Sequence, residues 1–167
     1  DLKKCMNADK AELFSKLVAS IITAAEQQTM NYYMNVTNFA CSDIGRRLYE
    51  EICLVEEEHV TQYESLMDPN ATWLEMLLWH EYVECYLYWS CIQDESDQYV
   101  KQVWQEHFEE ELKHLKIASE MLFKYEGREW EQLFVGGSDF PSLIKLKDNK
   151  EERIFLENFP KIVGNTI

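Results

Sequence analysis

Apolar side chains recur at intervals of three and four residues along four long stretches of this chain, the mark of helices that turn one face to a core. The first stretch runs from about Asp9 to Ala40. Ser42 and Asp43 then supply an N-cap for a second, which continues to about Met67 before Asp68, Pro69 and Asn70 stop it. A third begins near Thr72 and lasts to about Gln93. The polar run from Asp94 to Asp97 turns the chain and caps a fourth, which ends at Gly127. Beyond it Gly136, Gly137 and Pro141 mark irregular chain, with at most one short helix around Lys150 to Leu156. Phe134, Phe140, Phe155 and Phe159 are candidates to dock on the helices. The pattern predicts an all-α fold: a four-helix domain over residues 1–127 and a C-terminal extension over 128–167 that packs on it.

At 167 residues the chain is long enough to bury a core without disulfide or zinc staples. Its 31 acidic residues against 16 Lys and Arg leave a net charge of −15, a field that repels phosphate backbones and anionic lipid surfaces. Neither nucleic acid nor a membrane is expected as a partner, and no apolar run reaches the roughly 18 residues of a membrane helix. The five cysteines include no Cys-x-x-Cys pair, which predicts reduced thiols and a cytoplasmic setting.

Four of the acidic residues keep unusual company. Residues three, four and seven positions apart share a helix face, and by that test Glu26 lies with Ala19, Ile22, Met30 and Tyr33. Glu56 lies with Tyr49, Ile52, Cys53, Val60 and Tyr63; Glu81 with Leu74, Leu77, Leu78, Cys85 and Tyr88; Glu111 with Trp104, Phe108, Leu115 and Ala118. Glu57 and Glu110 share their faces with other polar residues and read as surface charges. A lone carboxylate held in a core costs several kcal/mol, and four that converge also repel one another. Two divalent cations would neutralise them.

Two histidines belong to the same pattern. Glu56 precedes His59 by three residues and Glu111 precedes His114 by three, so each pair sits on one face about a turn apart. Taken singly, such a pair on an acidic helix is a solvated face, and a lone core histidine is a hydrogen-bonded core residue. The arrangement recurs, however: a lone Glu and then Glu-x-x-His 30 residues later, first from Glu26 to Glu56 and again from Glu81 to Glu111. The domain reads as a duplicated helix pair whose carboxylate and imidazole donors suit iron or manganese, with zinc as a substitute.

One Glu from each of two helices and Glu-x-x-His from each of the other two is the ligand pattern of ferritin-like di-iron carboxylate bundles. Over about residues 9 to 127 the chain resembles that superfamily, and rubrerythrins above all. The stretch from Ala25 to Tyr33, the pair Glu81 and Glu84, and the run from Glu56 to His59 carry the resemblance. It implies a ferritin-like four-helix bundle with two iron ions held by Glu26, Glu56, His59, Glu81, Glu111 and His114. It implies Glu84 as a seventh ligand, and Leu77, Leu87, Tyr88 and Cys91 share that residue's face. Tyr33 would donate a hydrogen bond to a bridging carboxylate, with Tyr33 and Glu84 the residues closest to catalysis, and His80 or His107 could relay protons. Trp89 stands where the family carries a second such tyrosine, with Tyr88 beside it. The implied activity is reduction of hydrogen peroxide, or O2, to water. Without Cys-x-x-Cys the rubredoxin iron centre is missing, so electrons would come from an external rubredoxin-like donor. Iron oxidation and storage of the ferritin kind, and a helical interaction module with a structural metal pair, are the competing functions.

The link between the second and third helices adds an expectation about assembly. In the resemblance those two helices run parallel, which needs a return path of roughly 25 Å, and the segment from Asp68 to Ala71 spans at most about 14 Å. Either the second helix unwinds early and exposes Tyr63 and Leu66, or the third and fourth helices complete a partner's bundle in a domain-swapped homodimer. The second is the expectation adopted.

Overall fold

The computed structural model describes residues 4–7, 10–134 and 136–143, and those residues form an all-α structure with no strand. Four helices follow one another: α1 (Leu13–Val36), α2 (Asp43–Glu64), α3 (Trp73–Asp94) and α4 (Gln98–Glu126). Short 3-10 turns at Thr37–Phe39 and Trp130–Leu133 flank α1 and α4 on their C-terminal sides.

Cap chemistry sets most of the boundaries. Ser42 Oγ accepts the Gly45 amide at the start of α2, as its sequence position predicts. Thr72 and Glu75 cap α3 reciprocally: the hydroxyl accepts the Glu75 amide, and the Glu75 carboxylate accepts the Thr72 amide. Asp97 accepts the amides of Tyr99 and Val100 to open α4, and Gly127, at φ 66°, closes it in the left-handed conformation that glycine adopts without strain. Three boundaries differ from expectation. Helix α1 ends at Val36 rather than near Ala40, giving way to the 3-10 turn Thr37–Phe39. Helix α1 begins at Leu13 because the amides of Lys10 and Ala11 bond to the Asn7 carbonyl in a separate turn. Helix α2 stops at Glu64 because Leu66 and Met67 bond back to Tyr63 and Glu64, tightening the last turn.

The helices pack as two antiparallel hairpins, α1 on α2 and α3 on α4, which meet mainly along α1 and α3. The junction holds most of the core: Leu17 of α1 lies against Leu78, Tyr82, Val83 and Tyr86 of α3 and Ala118 and Leu122 of α4. Trp79 Nε1 donates to Ser20 Oγ at 2.6 Å, and Lys16 Nζ bonds the Leu133 carbonyl at 3.0 Å, tying α1 to the second hairpin. Phe134 and Phe140 pack here, both rings on Tyr82 and Phe140 also on Tyr86 and Trp89. The short helix placed near Lys150 to Leu156, and Phe155 and Phe159, lie outside the described residues.

The link over 65–72 is folded into turns rather than extended: Ala71 bonds the Asp68 carbonyl, and the Asp68 side chain accepts the Asn70 amide. Tyr63 and Leu66 stay half-buried, so the exposure expected of an unwound α2 does not arise.

Candidate metal centre

Glu26 near the middle of α1 and Glu56 and His59 in the second half of α2 face one another across the first hairpin. His59 Nδ1 lies 3.1 Å from Glu56 Oε2 and 3.3 Å from Glu26 Oε2. The second hairpin repeats the arrangement. His114 Nδ1 lies 3.0 Å from Glu111 Oε2 and 3.9 Å from Glu81 Oε2. Within each group of three, one ligating atom per residue lies within 4.8 Å of the others. Of the seven residues expected as ligands, six gather as two triads, one per hairpin.

The triads are covered below and open above. The carboxylate side chains are 24%, 15%, 14% and 18% exposed for Glu26, Glu56, Glu81 and Glu111, whereas the imidazoles of His59 and His114 are 41% and 55% exposed. Glu57 and Glu110, read as surface charges, are exposed.

The carboxylates crowded in each triad favour the protonated forms of their neighbours. Hydrogen bonds to Glu56 and then Glu26 raise the His59 pKa above its ordinary value, against the opposing effect of burial. Its hydrogen bond to Glu111, with that residue's charge, raises His114 likewise. Burial, followed by a hydrogen bond with the Glu111 carboxyl, pushes Glu81 up, against the opposing charges of His80 and His114. A divalent cation would displace such protons, since carboxylate and neutral imidazole are the forms that ligate. The donor set fits iron or manganese, and zinc as well.

Other predicted residues stand apart. Glu84 belongs to neither triad; it lines a mostly apolar cavity of about 290 Å³ between α1 and α3, together with Thr23, Gln27, Met67, Trp79 and His80. Tyr33 stacks on Tyr49 at 5.9 Å between ring centroids and meets Tyr32 edge-on; its hydroxyl makes no hydrogen bond to a carboxylate among the described residues. His107 stacks on Tyr88 and pairs with exposed Glu110 at 3.6 Å, outside both triads.

Tyr88 is a residue that the sequence reading left without a role. Trp89, its neighbour, packs on Tyr86 and Phe140, turned toward the extension. Tyr88 instead lies near Glu84 and Glu111, whose charges add to the effect of burial in raising its phenol. The signal was present in the chain: Glu26, Tyr33, Tyr49, Glu56 and His59 recur 55 positions later as Glu81, Tyr88, Trp104, Glu111 and His114. The structure keeps this repeat in space, because the Tyr33–Tyr49 contact has its counterpart in Tyr88–Trp104 at 6.2 Å.

Among the described residues no helix is long and apolar enough to cross a membrane. Comparison with protein-family models, curated proteins and solved structures found no match to this chain.

Proposed function

We propose that the chain is a rubrerythrin-like non-haem di-iron oxidoreductase that reduces hydrogen peroxide, or O2, to water. The observation that carries this reading is the pair of Glu/Glu/His triads, alike in composition, sequence spacing and placement across a helical hairpin. Bound iron would supply the one-electron chemistry that no side chain here provides, with manganese or zinc able to occupy the same donors.

Glu26, Glu56 and His59 would hold metal from one hairpin, and Glu81, Glu111 and His114 from the other. Glu84, in the cavity wall, would be a further carboxylate drawn in as charge changes. Reduction of one peroxide takes two electrons and two protons and yields two waters. The electrons would come from an external donor such as a rubredoxin-like protein. His80 is exposed and lines the same cavity as Glu84, and it would pass protons from solvent. Neutral peroxide and O2 are not repelled by a net charge of −15, whereas anionic substrates are.

The test is elemental analysis of protein loaded anaerobically with Fe2+ and desalted, followed by absorbance after peroxide. Two irons per pair of triads and an oxo-bridged ferric spectrum are expected; a colourless, metal-free protein refutes the proposal.

A further inference from the structure

We infer that the cavity between α1 and α3 is a binding site for a small organic cation, an amine carried on an apolar body about the size of one aromatic ring with a short chain. The inference stands apart from the metal reading above and does not depend on it.

Size, lining and charge select that class of ligand. An apolar cavity of about 150 Å³ holds benzene, so the roughly 290 Å³ here takes one ring and a short substituent. The apolar lining combines a fixed side with an adaptable one. Trp79 is held by the 2.6 Å bond from its Nε1 to Ser20 Oγ and by stacking on Tyr82. Met6, Met67 and Met76 are unbranched and re-pack around bodies of different outline. The acidic side chains of the wall are Glu64, Asp68, Glu75 and Glu84, and the basic ones are Lys16, Arg128 and exposed His80. Lys16 and Arg128 are already engaged: Arg128 pairs with Glu75, and Lys16 bonds the Leu133 carbonyl and lies over the Trp79 ring at 5.1 Å. An anionic ligand would have to break those contacts. Glu84 is half-buried beside the apolar wall, and among the described residues its carboxylate takes no ion pair and no hydrogen bond. An ammonium group would supply that partner, and a net charge of −15 draws cations to the molecule.

The experiment titrates the full chain by calorimetry at pH 8, after chelation so that no metal competes for Glu84. Three probes of one shape are compared: 2-phenylethylamine, which keeps its proton at that pH as a lysine does, neutral 2-phenylethanol and anionic 3-phenylpropanoate. Saturable binding of one amine per chain is expected, about ten-fold tighter than the alcohol, with the anion weakest. Two variants locate the site. Ala24→Trp places an indole in the cavity from an exposed position and is expected to abolish binding. Glu84→Gln is expected to weaken the amine about ten-fold and to leave the alcohol unchanged. Circular dichroism checks that each variant is helical, and Gln27→Trp, exposed on the same cavity, replaces Ala24→Trp if that chain does not fold. The inference is overturned by an amine that does not saturate or binds no tighter than the alcohol or the anion. Binding that survives a tryptophan in the cavity of a folded chain, or an amine affinity unchanged by Glu84→Gln, overturns it equally. Iron binding is measured separately, so failure of the metal reading leaves each of these outcomes interpretable.

Discussion

Glu56 and Glu57 are consecutive carboxylates with opposite surroundings. The first bonds His59 from a side chain only 15% exposed, and the second points to solvent. Glu56→Ala is expected to lower bound iron several-fold, and Glu57→Ala to leave it unchanged; equal losses in elemental analysis would contradict the face assignment. The cysteines divide in the same way. Cys85 is fully buried, and burial, assisted by the charges of Glu111, Glu81 and Glu84, pushes its thiol up to about 12, while Cys41 is exposed. A thiol reagent at pH 8 is therefore expected to label Cys41 within minutes and Cys85 only after unfolding, because the thiolate is the reactive form. Mass spectrometry of the labelled peptides checks this, and rapid native labelling of Cys85 would rule it out.

At the scale of the element, each hairpin depends on caps that are local in sequence. Asp97 satisfies two amides at the start of α4 and Gly127 supplies the left-handed residue at its end. Asp97→Ala is expected to cost about 1 kcal/mol through the lost cap. Gly127→Ala is expected to cost about 1 kcal/mol for a different reason, since an added Cβ would meet nothing within 4 Å and only the backbone conformation resists it. Urea denaturation measures both, and a neutral Gly127→Ala would mean that the helix end relaxes.

For the whole molecule, the junction between hairpins is where stability concentrates. Leu122, with 0% exposure, packs there, and Leu122→Ala is expected to cost about 2–5 kcal/mol. The same junction makes stability sensitive to alkali. Burial pushes Tyr82 from about 10 up to about 12, and Cys85 rises from about 9 to about 12. Both groups are neutral when protonated, so the unfolded chain loses these protons first as pH rises. Stability is thus expected to fall progressively from about pH 9 toward pH 12. Urea midpoints at pH 8 and pH 11 test this, and Tyr82→Phe combined with Cys85→Ala should flatten the difference; a midpoint independent of pH would show that these groups titrate alike in both states.

What the sequence determined by itself is what neighbours along a helix determine. Caps at Ser42 and in the run from Asp94 to Asp97, and the stop at Gly127, were legible because their chemistry lies within four residues, and the inward turn of Glu26, Glu56, Glu81 and Glu111 because residues three, four and seven apart share a face. The same rule separated Glu57 and Glu110 from them. It lost discrimination on α3, where Leu78, Tyr82, Val83, Cys85 and Tyr86 are buried on several sides, so apolar company could not tell that Glu84 turns to the cavity or that Tyr88 rather than Trp89 lies near the carboxylates. Only the tertiary structure decided those directions, because they depend on α1, α4 and the docked Phe140, each remote in the chain. It also decided that the ligands gather as one triad in each hairpin. Helical periodicity places a ligand on a face, but which faces meet follows from the hairpin junction at Leu17 and Leu78 and from the turns of the 65–72 link.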